Sequence, residues 1–512
     1  MSTSAAGAHG QAVVEVSNKP LLIIGIMMAM IMQVLDSTIA NVALPHMQAS
    51  LGATFDSVSW VLTSYILATA IAMPLTGWLS DRFGSRRLFI TSVAGFIITS
   101  MLCGIAVNLP EMVLFRVLQG ASAAFVGPLS QTVMLDITPR EQHPKAMALW
   151  GMGIMVGPIL GPIIGGWLTD NYNWRWIFYI NVPIGVATLA ILIALLPSRP
   201  LRRRAFDLFG FSMLAIGLTA LQLMLDRGQQ EDWLQSWEIR IELGVAIIGI
   251  WLFLVHMVTG RRPMFEREML ANRNLLIGLV FMINIGAILM ATMALLPPML
   301  QAVYGYPVLD TGLLLAPRGI GILISMAIAG QLAGRVDPRV MIGGGMALAA
   351  ASLWWMTHWS LNMDWHPVVW SGVLQGLGLG FIFSSINLAA FATLSPRYRT
   401  DAASLLYLMR NLGSSVGISI VTAQLARTVQ TSHELMVGNI TDTSLAPLDL
   451  RMIESAGGTG ASLYSMIDAE ITRQATMIGY LNDFYLLMIV TLISIPLVLL
   501  LKRTQTAPRK GR

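Results

Sequence analysis

The sequence predicts an all-α polytopic membrane protein, and three observations carry that prediction. Windows of about 20 apolar residues, the length that crosses a bilayer, follow one another almost end to end through the 512 residues. Only 12% of the residues are charged and the mean hydropathy is +0.68, whereas a water-soluble chain carries about 25% charged residues. The basic residues, finally, collect in alternate connecting segments. A bilayer offers the backbone no water, so only helices or a closed barrel can cross it. The apolar runs are continuous rather than alternating, which excludes the barrel.

Fourteen spans are expected, near residues 21–45, 57–79, 87–107, 110–134, 145–169, 176–197, 207–226, 241–258, 273–303, 310–332, 338–359, 366–389, 400–426 and 479–501. With the N-terminus inside, the inner segments carry 23 of the 32 Lys and Arg. The outer ones carry six: Arg175, Arg227, Arg240, Arg427, Arg451 and Arg473. This bias places both termini in the cytoplasm. It also makes clusters such as Arg202-Arg203-Arg204 topology signals, so the net charge of +5 does not argue for nucleic acid. The lone cysteine, Cys103, rules out an intrachain disulfide. The first 16 residues lack a basic n-region, so a cytoplasmic tail is expected there, with the first span as an uncleaved targeting signal.

The chain repeats itself at near-constant offsets. Leu44-Pro45-His46-Met47 returns as Leu296-Pro297-Pro298-Met299, 252 residues on. The stretch from Gly77 to Arg86 returns in degraded form from Gly330 to Arg339, at 253, and Leu118-Gln119-Gly120 returns as Leu374-Gln375-Gly376, at 256. Six spans end near 197, so the surplus of about 55 residues fits two inserted helices. The expected division is a tail at 1–20, a six-helix half at 21–197, two inserted helices with linkers at 198–272, a second half at 273–501, and a tail at 502–512. Most loops are short. The outer segment 427–478 is the exception, with Gly457-Gly458-Thr459-Gly460 inside it. A short surface helix at 462–478, a docking role and simple disorder are all compatible with such a loop.

Asp36 is the sole ionisable residue between Leu21 and Pro45. An ionised Asp near a bilayer centre costs roughly 2.5–3.5 kcal/mol, so such residues usually face protein or water. Arg116, in the fourth span, lies roughly 9 Å below the outer helix end and Asp36 roughly 13 Å below it, from a rise of about 1.5 Å per residue. The opposite charges could pair directly, or act on each other through water and Gln33 or Gln119. A change of contact would then release or capture a proton. A permanent structural pair is the blander alternative.

Glycines recur every four residues in the fifth span, at Gly153, Gly157, Gly161 and Gly165, with Pro158 and Pro162 beside two of them. The smooth face allows close backbone approach and the prolines favour kinks, so this helix is expected to seal or bend at a domain interface. The loop Gly77-Trp-Leu-Ser-Asp81-Arg82-Phe-Gly84-Ser-Arg86-Arg87 gathers a carboxylate and three arginines. Asp81 is a candidate latch between halves, although a charged turn would also explain it. Arg318 and Arg410 lie inside later spans and could bind anions, meet a mobile carboxylate, or hold helices together. The 33 methionines suit an adaptable apolar cavity, though most must simply pack. No phosphate-binding loop or His-Glu-x-x-His motif is present in the sequence.

Leu35-Asp36-Ser-Thr-Ile-Ala-Asn41-Val-Ala-Leu-Pro45, the 77–88 loop, Arg116/Gln119/Gly120, the 153–166 helix and Trp174-Arg-Trp-Ile-Phe-Tyr-Ile-Asn181-Val-Pro183 together resemble the EmrB-type branch of the 14-helix drug:proton antiporters. That branch belongs to the major facilitator superfamily, whose halves are parallel repeats, each built from a 3 + 3 inverted repeat. The resemblance implies a proton-driven exporter of hydrophobic or amphipathic compounds in a bacterial inner membrane. It implies no cofactor beyond the coupling proton, no enzymatic activity, and partnership with a periplasmic adaptor of the EmrA type leading to an outer-membrane channel. It further implies that Asp36 is the proton site and Arg116 its coupling partner. Gly157-Pro158 would be the antiporter signature, and Asp81, Arg82 and Arg86 the cytoplasmic gate. Gln33, Asn41, Gln119, Arg318 and Arg410 are expected as further substrate or coupling residues. The second copy of the gate loop has Gly334 in place of Asp81, which removes its acidic latch. A metabolite symporter or exporter would share the fold; a channel or membrane enzyme fits the sequence poorly.

Overall fold

The computed structural model describes residues 16–198, 201–202, 204–333, 335–438 and 461–502. Fourteen long helices occupy them. The first six are α1 (Lys19–Leu51), α2 (Trp60–Phe83), α3 (Ser85–Ile105), α4 (Leu109–Asp136), α5 (His143–Asn171) and α6 (Trp176–Leu195). Two more follow, α7 (Leu208–Arg227) and α8 (Trp237–Thr259). The last six are α9 (Arg273–Ala302), α10 (Val308–Leu332), α11 (Pro338–Met356), α12 (His366–Ala392), α13 (Arg399–Gly438) and α14 (Ala461–Ser494), the last closed by a 3-10 turn at Ile495–Leu500. Twelve of these segments are long and apolar enough to cross a membrane. In α11 the glycines, tryptophans and Arg339 dilute the apolar character; in α13 Arg399, Asp401 and Arg410 do so.

The helix ends follow local chemistry. Asn18 caps α1 by accepting from the Leu21 amide at 3.2 Å, and Gly52 ends that helix in the left-handed conformation (φ +62°). Asn108, Asp207, Asn272 and Asp337 cap α4, α7, α9 and α11 in the same way. The repeated Leu-Pro pairs both fall inside the last turns of long helices, Pro45 in α1 and Pro297 in α9. Between α2 and α3, Gly84 has φ +92°, so glycine is needed for the sharp reversal there.

Packing partners define the bundle. Helix α1 lies against α5 and α6, α2 against α4, and α3 against α4 and α6. In the last six helices α9 lies against α13, α10 against α12, and α11 against α12 and α14. The two sets meet chiefly where α5 runs along α10 and where α13 crosses α4 and the end of α2. Helices α7 and α8 pack tightly on each other through Gly217 and Gly249, where an added Cβ on Gly249 would lie 2.9 Å from the Gly217 Cα. Helix α7 touches both α2 and α13, and the Ser419 hydroxyl of α13 donates to the Leu225 carbonyl at 2.8 Å. The inserted pair therefore lies along a seam, with α8 mostly facing outward.

One expectation changes here. The run at 462–478 is no separate surface helix; it is the start of α14, continuous with the span. Helix α13 likewise continues to Gly438, and its 40 residues measure about 60 Å, twice a bilayer core. The two projections are tied by His433 and Asp468, 2.9 Å apart. Of the expected 427–478 loop, residues 427–438 and 461–478 are thus helical, and 439–460 lie outside the described residues.

Candidate functional site

Asp36 and Arg116 are both fully buried, and the Arg116 Nη1 donates to the Asp36 Oδ2 at 2.8 Å. The direct pair, rather than the water-bridged alternative, is what the fold makes. Two neutral amides complete it: Gln119 Nε2 and Asn181 Nδ2 donate to the Asp36 Oδ1 at 3.0 and 2.9 Å. Arg116 also donates to Gln119 Oε1 at 2.7 Å and, through Nε, to the Val61 carbonyl at 3.0 Å. Its guanidinium lies 4.1 Å above the Tyr65 ring, within cation–π range. Asn181 is held in turn by Ser100, whose hydroxyl donates to the Phe178 carbonyl. Five helices, α1, α2, α3, α4 and α6, thus contribute to one polar knot enclosed in apolar side chains.

Gln119 belongs to this knot as expected. Among the described residues Gln33 makes no hydrogen bond to Asp36, and its Oε1 has no partner. Asn41 is exposed one turn beyond, donating to the Ser37 carbonyl at 3.4 Å. In the sequence Asn181 stands out only as part of the Trp174–Pro183 motif. An amide inside the otherwise apolar Ile177–Ile191 stretch was the signal that could have singled it out.

The glycine ridge of α5 faces α1, not the other half of the molecule. A Cβ on Gly153 would collide with Met27 and one on Gly161 with Thr38, while on Gly157 it would meet Val34 at 2.6 Å and the Leu35 amide at 2.9 Å. Gly165 repeats this against Ile39 at 2.7 Å, and Thr38 donates to the Gly157 carbonyl at 3.2 Å. Expectation placed this ridge at a domain interface. The sequence could not show that small residues were needed for backbone-close contact with the helix that bears Asp36. The other faces of α5 do reach α10, where a Cβ on Gly151 would touch Met326. Pro162 lies in the same helix, while the Pro158 side chain and Gly334 lie outside the described residues.

The helix ends rich in Arg and Lys define a basic face, and here the first and last six helices are locked together. Arg399 of α13 reaches Asp136 of α4 at 3.0 Å, both side chains almost completely buried. Deeper in, Gln131 donates to Asn387 at 2.7 Å, while Trp150 stacks on Phe383 and meets Tyr407 edge-on. Met30 and Met147 sulfurs lie 3.9 Å from Tyr407 and Gln131, so part of the methionine content does line this contact. Asp81 does not bridge the halves directly. Arg204, from the linker before α7, lies 3.7 Å from Asp81 and 2.9 Å from Asp401 of α13. Gly77 is glycine because the Asp401 carboxylate fills the space its Cβ would take. Arg82 is exposed, and Arg86 donates to the Ile193 carbonyl at 2.7 Å, tying α3 to α6. Nearby, burial opposes the charge on Glu266, but the Tyr398 hydroxyl and the Arg397 guanidinium outweigh it and hold that carboxyl below the ordinary range.

The two later arginines meet no carboxylate in the described contacts. Arg318 donates to Thr292 Oγ1 at 2.7 Å, and Arg410 lies 4.6 Å over the Tyr407 ring. Asp136, Arg204, Gln131, Asn387 and Asp401 escaped the sequence reading, because polar residues at helix ends look like ordinary solvated caps until the facing helix is known. Asp483 escaped too, although it lies inside the last expected span and the argument that singled out Asp36 applied to it.

Comparison with known proteins agrees with this architecture. The family model of the Major Facilitator Superfamily matches residues 26–418. Multidrug export protein EmrB of Escherichia coli K12 is 36% identical over 480 residues, covering 91% of this chain and 92% of its own length. Fatty acid resistance protein FarB of Neisseria gonorrhoeae is 34% identical over 479 residues, covering 93% and 94%. Among solved structures, the proton:xylose symporter XylE aligns with a TM-score of 0.58 at 13% identity, covering 95% of this chain and 96% of that one. The human organic anion transporter MFSD10 aligns with a TM-score of 0.58 at 14% identity, covering 92% and 99%. The chain belongs to the major facilitator superfamily and, within it, to the EmrB branch.

Proposed function

We propose that this protein is a multidrug efflux transporter that expels hydrophobic or amphipathic compounds in exchange for protons. The observation that carries the coupling is the enclosed Asp36–Arg116 pair, with the α5 glycine ridge pressed on residues 34–39 of the same helix. In this conformation three side chains donate to Asp36, which suits the carboxylate form. Protonation removes that charge and leaves Arg116 held by Val61, Gln119 and the Tyr65 ring. Removing one partner from a buried pair costs on the order of 3–5 kcal/mol, so the proton arrives when α1 shifts and admits water. A shift of α1 slides residues 34–39 along the glycines, which links proton binding to helix packing.

Opening the basic face would require separation of Arg399 from Asp136 and of Trp150 from Phe383. Alternating access would rock the 21–197 and 273–501 halves about this contact. We read the basic face as cytoplasmic from the positive-inside bias, which makes this conformation closed toward the cytoplasm. We place the protein in a bacterial inner membrane with both termini inside. The α13 and α14 projections would then reach toward a periplasmic adaptor of the EmrA type and an outer-membrane channel. One charge moving through 100 mV supplies about 2.3 kcal/mol, enough for a gradient of roughly 50-fold.

The test is efflux of a panel of lipophilic compounds from proteoliposomes, with and without an uncoupler. Collapse of accumulation by the uncoupler and substrate-driven proton movement are expected. Efflux indifferent to the uncoupler would overturn the proton coupling.

A further inference from the structure

The last helix holds a second buried carboxylate, and its surroundings are the reverse of those of Asp36. Asp483 is fully buried, and among the described residues neither of its oxygens has a hydrogen-bond partner. It lies 17 residues from the basic end of its helix at Leu500, as Asp36 lies 17 from Lys19. Both carboxylates are therefore about 25 Å from that face. The sequence around it, Tyr480-Leu-Asn482-Asp483, echoes Tyr179-Ile-Asn181 of α6, whose Asn181 belongs to the Asp36 knot. Phe484, next to it in the chain, stands against Trp359, and Tyr480 and Leu487, one turn to either side of Asp483, are buried.

An ionised carboxylate with no counter-charge and no donor is penalised by several kcal/mol in such a setting. Asp483 therefore holds its proton in this conformation. Among the described residues the titratable group that faces it is Tyr480, on its own helix; α9, α11 and α13, which pack against α14, bring no charged group to it. Helix α13 forms a long wall beside α14 and also carries Arg399, the bolt of the basic-face seal. Opening that seal displaces α13 and alters the wall around Asp483.

We propose that Asp483 is a second proton-exchange site, occupied in the conformation seen here while Asp36 is empty, so that the two sites load out of phase. The proposal rests on the proton-coupled reading above and deepens it. The chemistry is a reversible O–H heterolysis: the carboxyl gives its proton to water when the wall opens, and the carboxylate regains one from water before it closes. No redox partner is required.

Infrared difference spectroscopy on the full chain in lipid reads the site directly. The carbonyl band of a protonated, buried carboxyl should vanish in Asp483→Asn, persist in Asp36→Asn, and shift in frequency in Asp483→Glu. In proteoliposomes loaded with ethidium, Asp483→Asn should keep downhill efflux while proton movement per exported molecule falls by about half, because Asp36 still exchanges its proton and drives the opening; Asp36→Asn stops that opening and with it the exchange at both sites. Asp483→Glu should restore the count. An unchanged band in Asp483→Asn, or an unchanged proton count and pH profile, overturns the proposal. Should the Asn variant misfold, a band that does not shift in Asp483→Glu overturns it equally. If Asp36→Asn instead retains full proton exchange, the Asp36 coupling fails while the infrared result for Asp483 still stands on its own.

Discussion

Arg116 and Arg318 each send a buried guanidinium toward the first helix of their own six-helix set, and only Arg116 finds a carboxylate. Arg116 reaches Asp36 on α1, whereas Arg318 reaches Thr292 Oγ1 at 2.7 Å and the Leu289 carbonyl at 3.4 Å on α9. At the repeat offset of 252, Asp36 corresponds to Ile288; at 256, Arg116 corresponds to Gly372 and Gln119 to Gln375. Gly372 lies against the Arg318 Cβ, at 3.5 Å from its own would-be Cβ. The second copy thus supplies its cation from α10 instead of α12 and offers it only neutral acceptors. The frame recurs, but among the described contacts the first copy alone sets a carboxylate against its buried arginine. A fixed cation can hold a helix or attract an anion; it cannot count protons.

The comparison breaks if the two arginines prove equivalent. The largest effect is expected for Asp36→Asn, which should abolish substrate-driven proton release in proteoliposomes. It should also destabilise the protein by roughly 3–5 kcal/mol, because Arg116 is left buried without a counter-charge. The double variant Asp36→Asn/Arg116→Gln should recover most of that stability in thermal unfolding, yet no coupling. Arg318→Gln should cost only about 1.5–3 kcal/mol, the worth of a hydrogen bond to a charged group. Equal losses for the two arginines would erase the asymmetry.

The basic-face seal comes next. Arg399→Gln removes one of the contacts that hold the buried Asp136 and cuts the link between α13 and α4, so a loss of about 1.5–3 kcal/mol is expected, the worth of a hydrogen bond to a charged group. The variant should also populate a state open on the basic face, read by cysteine labelling at position 387. Unaltered labelling would mean that the seal lies elsewhere.

These effects also show how much the sequence disclosed. The fourteen helices, the family and the ion pair were legible because a bilayer leaves few alternatives for apolar segments and makes every buried charge conspicuous. The depth estimate alone put Asp36 near Arg116, since axial position follows from residue count. Azimuth does not. Which way the Gly157 ridge points, and that Asn181 turns inward, depend on how five helices rotate against each other. The Arg204 bridge depends on the path of a polar linker that has no periodicity to read. Residues at helix ends, such as Asp136 and Asp401, stayed hidden because a charge there is unremarkable until its partner is known.

The glycine ridge supplies a smaller and sharper comparison within one helix. Gly157→Ala puts a methyl 2.6 Å from Val34 and 2.9 Å from the Leu35 amide, so overpacking of about 1–3 kcal/mol is expected. Protons moved per substrate should fall at the same time, because α1 can no longer slide. Gly166→Ala, whose added Cβ meets nothing within 4 Å, should change neither quantity. Similar stoichiometry in both variants would remove the ridge from the coupling mechanism.

Arg204 should give the smallest effect, and its smallness is informative. It joins Asp81 and Asp401 but is partly exposed, as is Asp81. Water and salt screen its contact with Asp81, so the loss in Arg204→Gln comes mainly from weakening the hold on the buried Asp401, and it should stay below that of Arg399→Gln, where both partners are buried. Its contribution should also fade as ionic strength rises and the screening length shortens, whereas that of the buried Arg399–Asp136 pair should persist. Unfolding of both variants across a salt series separates the two layers of the seal. If Arg204→Gln proved as damaging as Arg399→Gln at high salt, the linker before α7 would be the main bolt. The inserted helices would then belong to the gate rather than to its periphery.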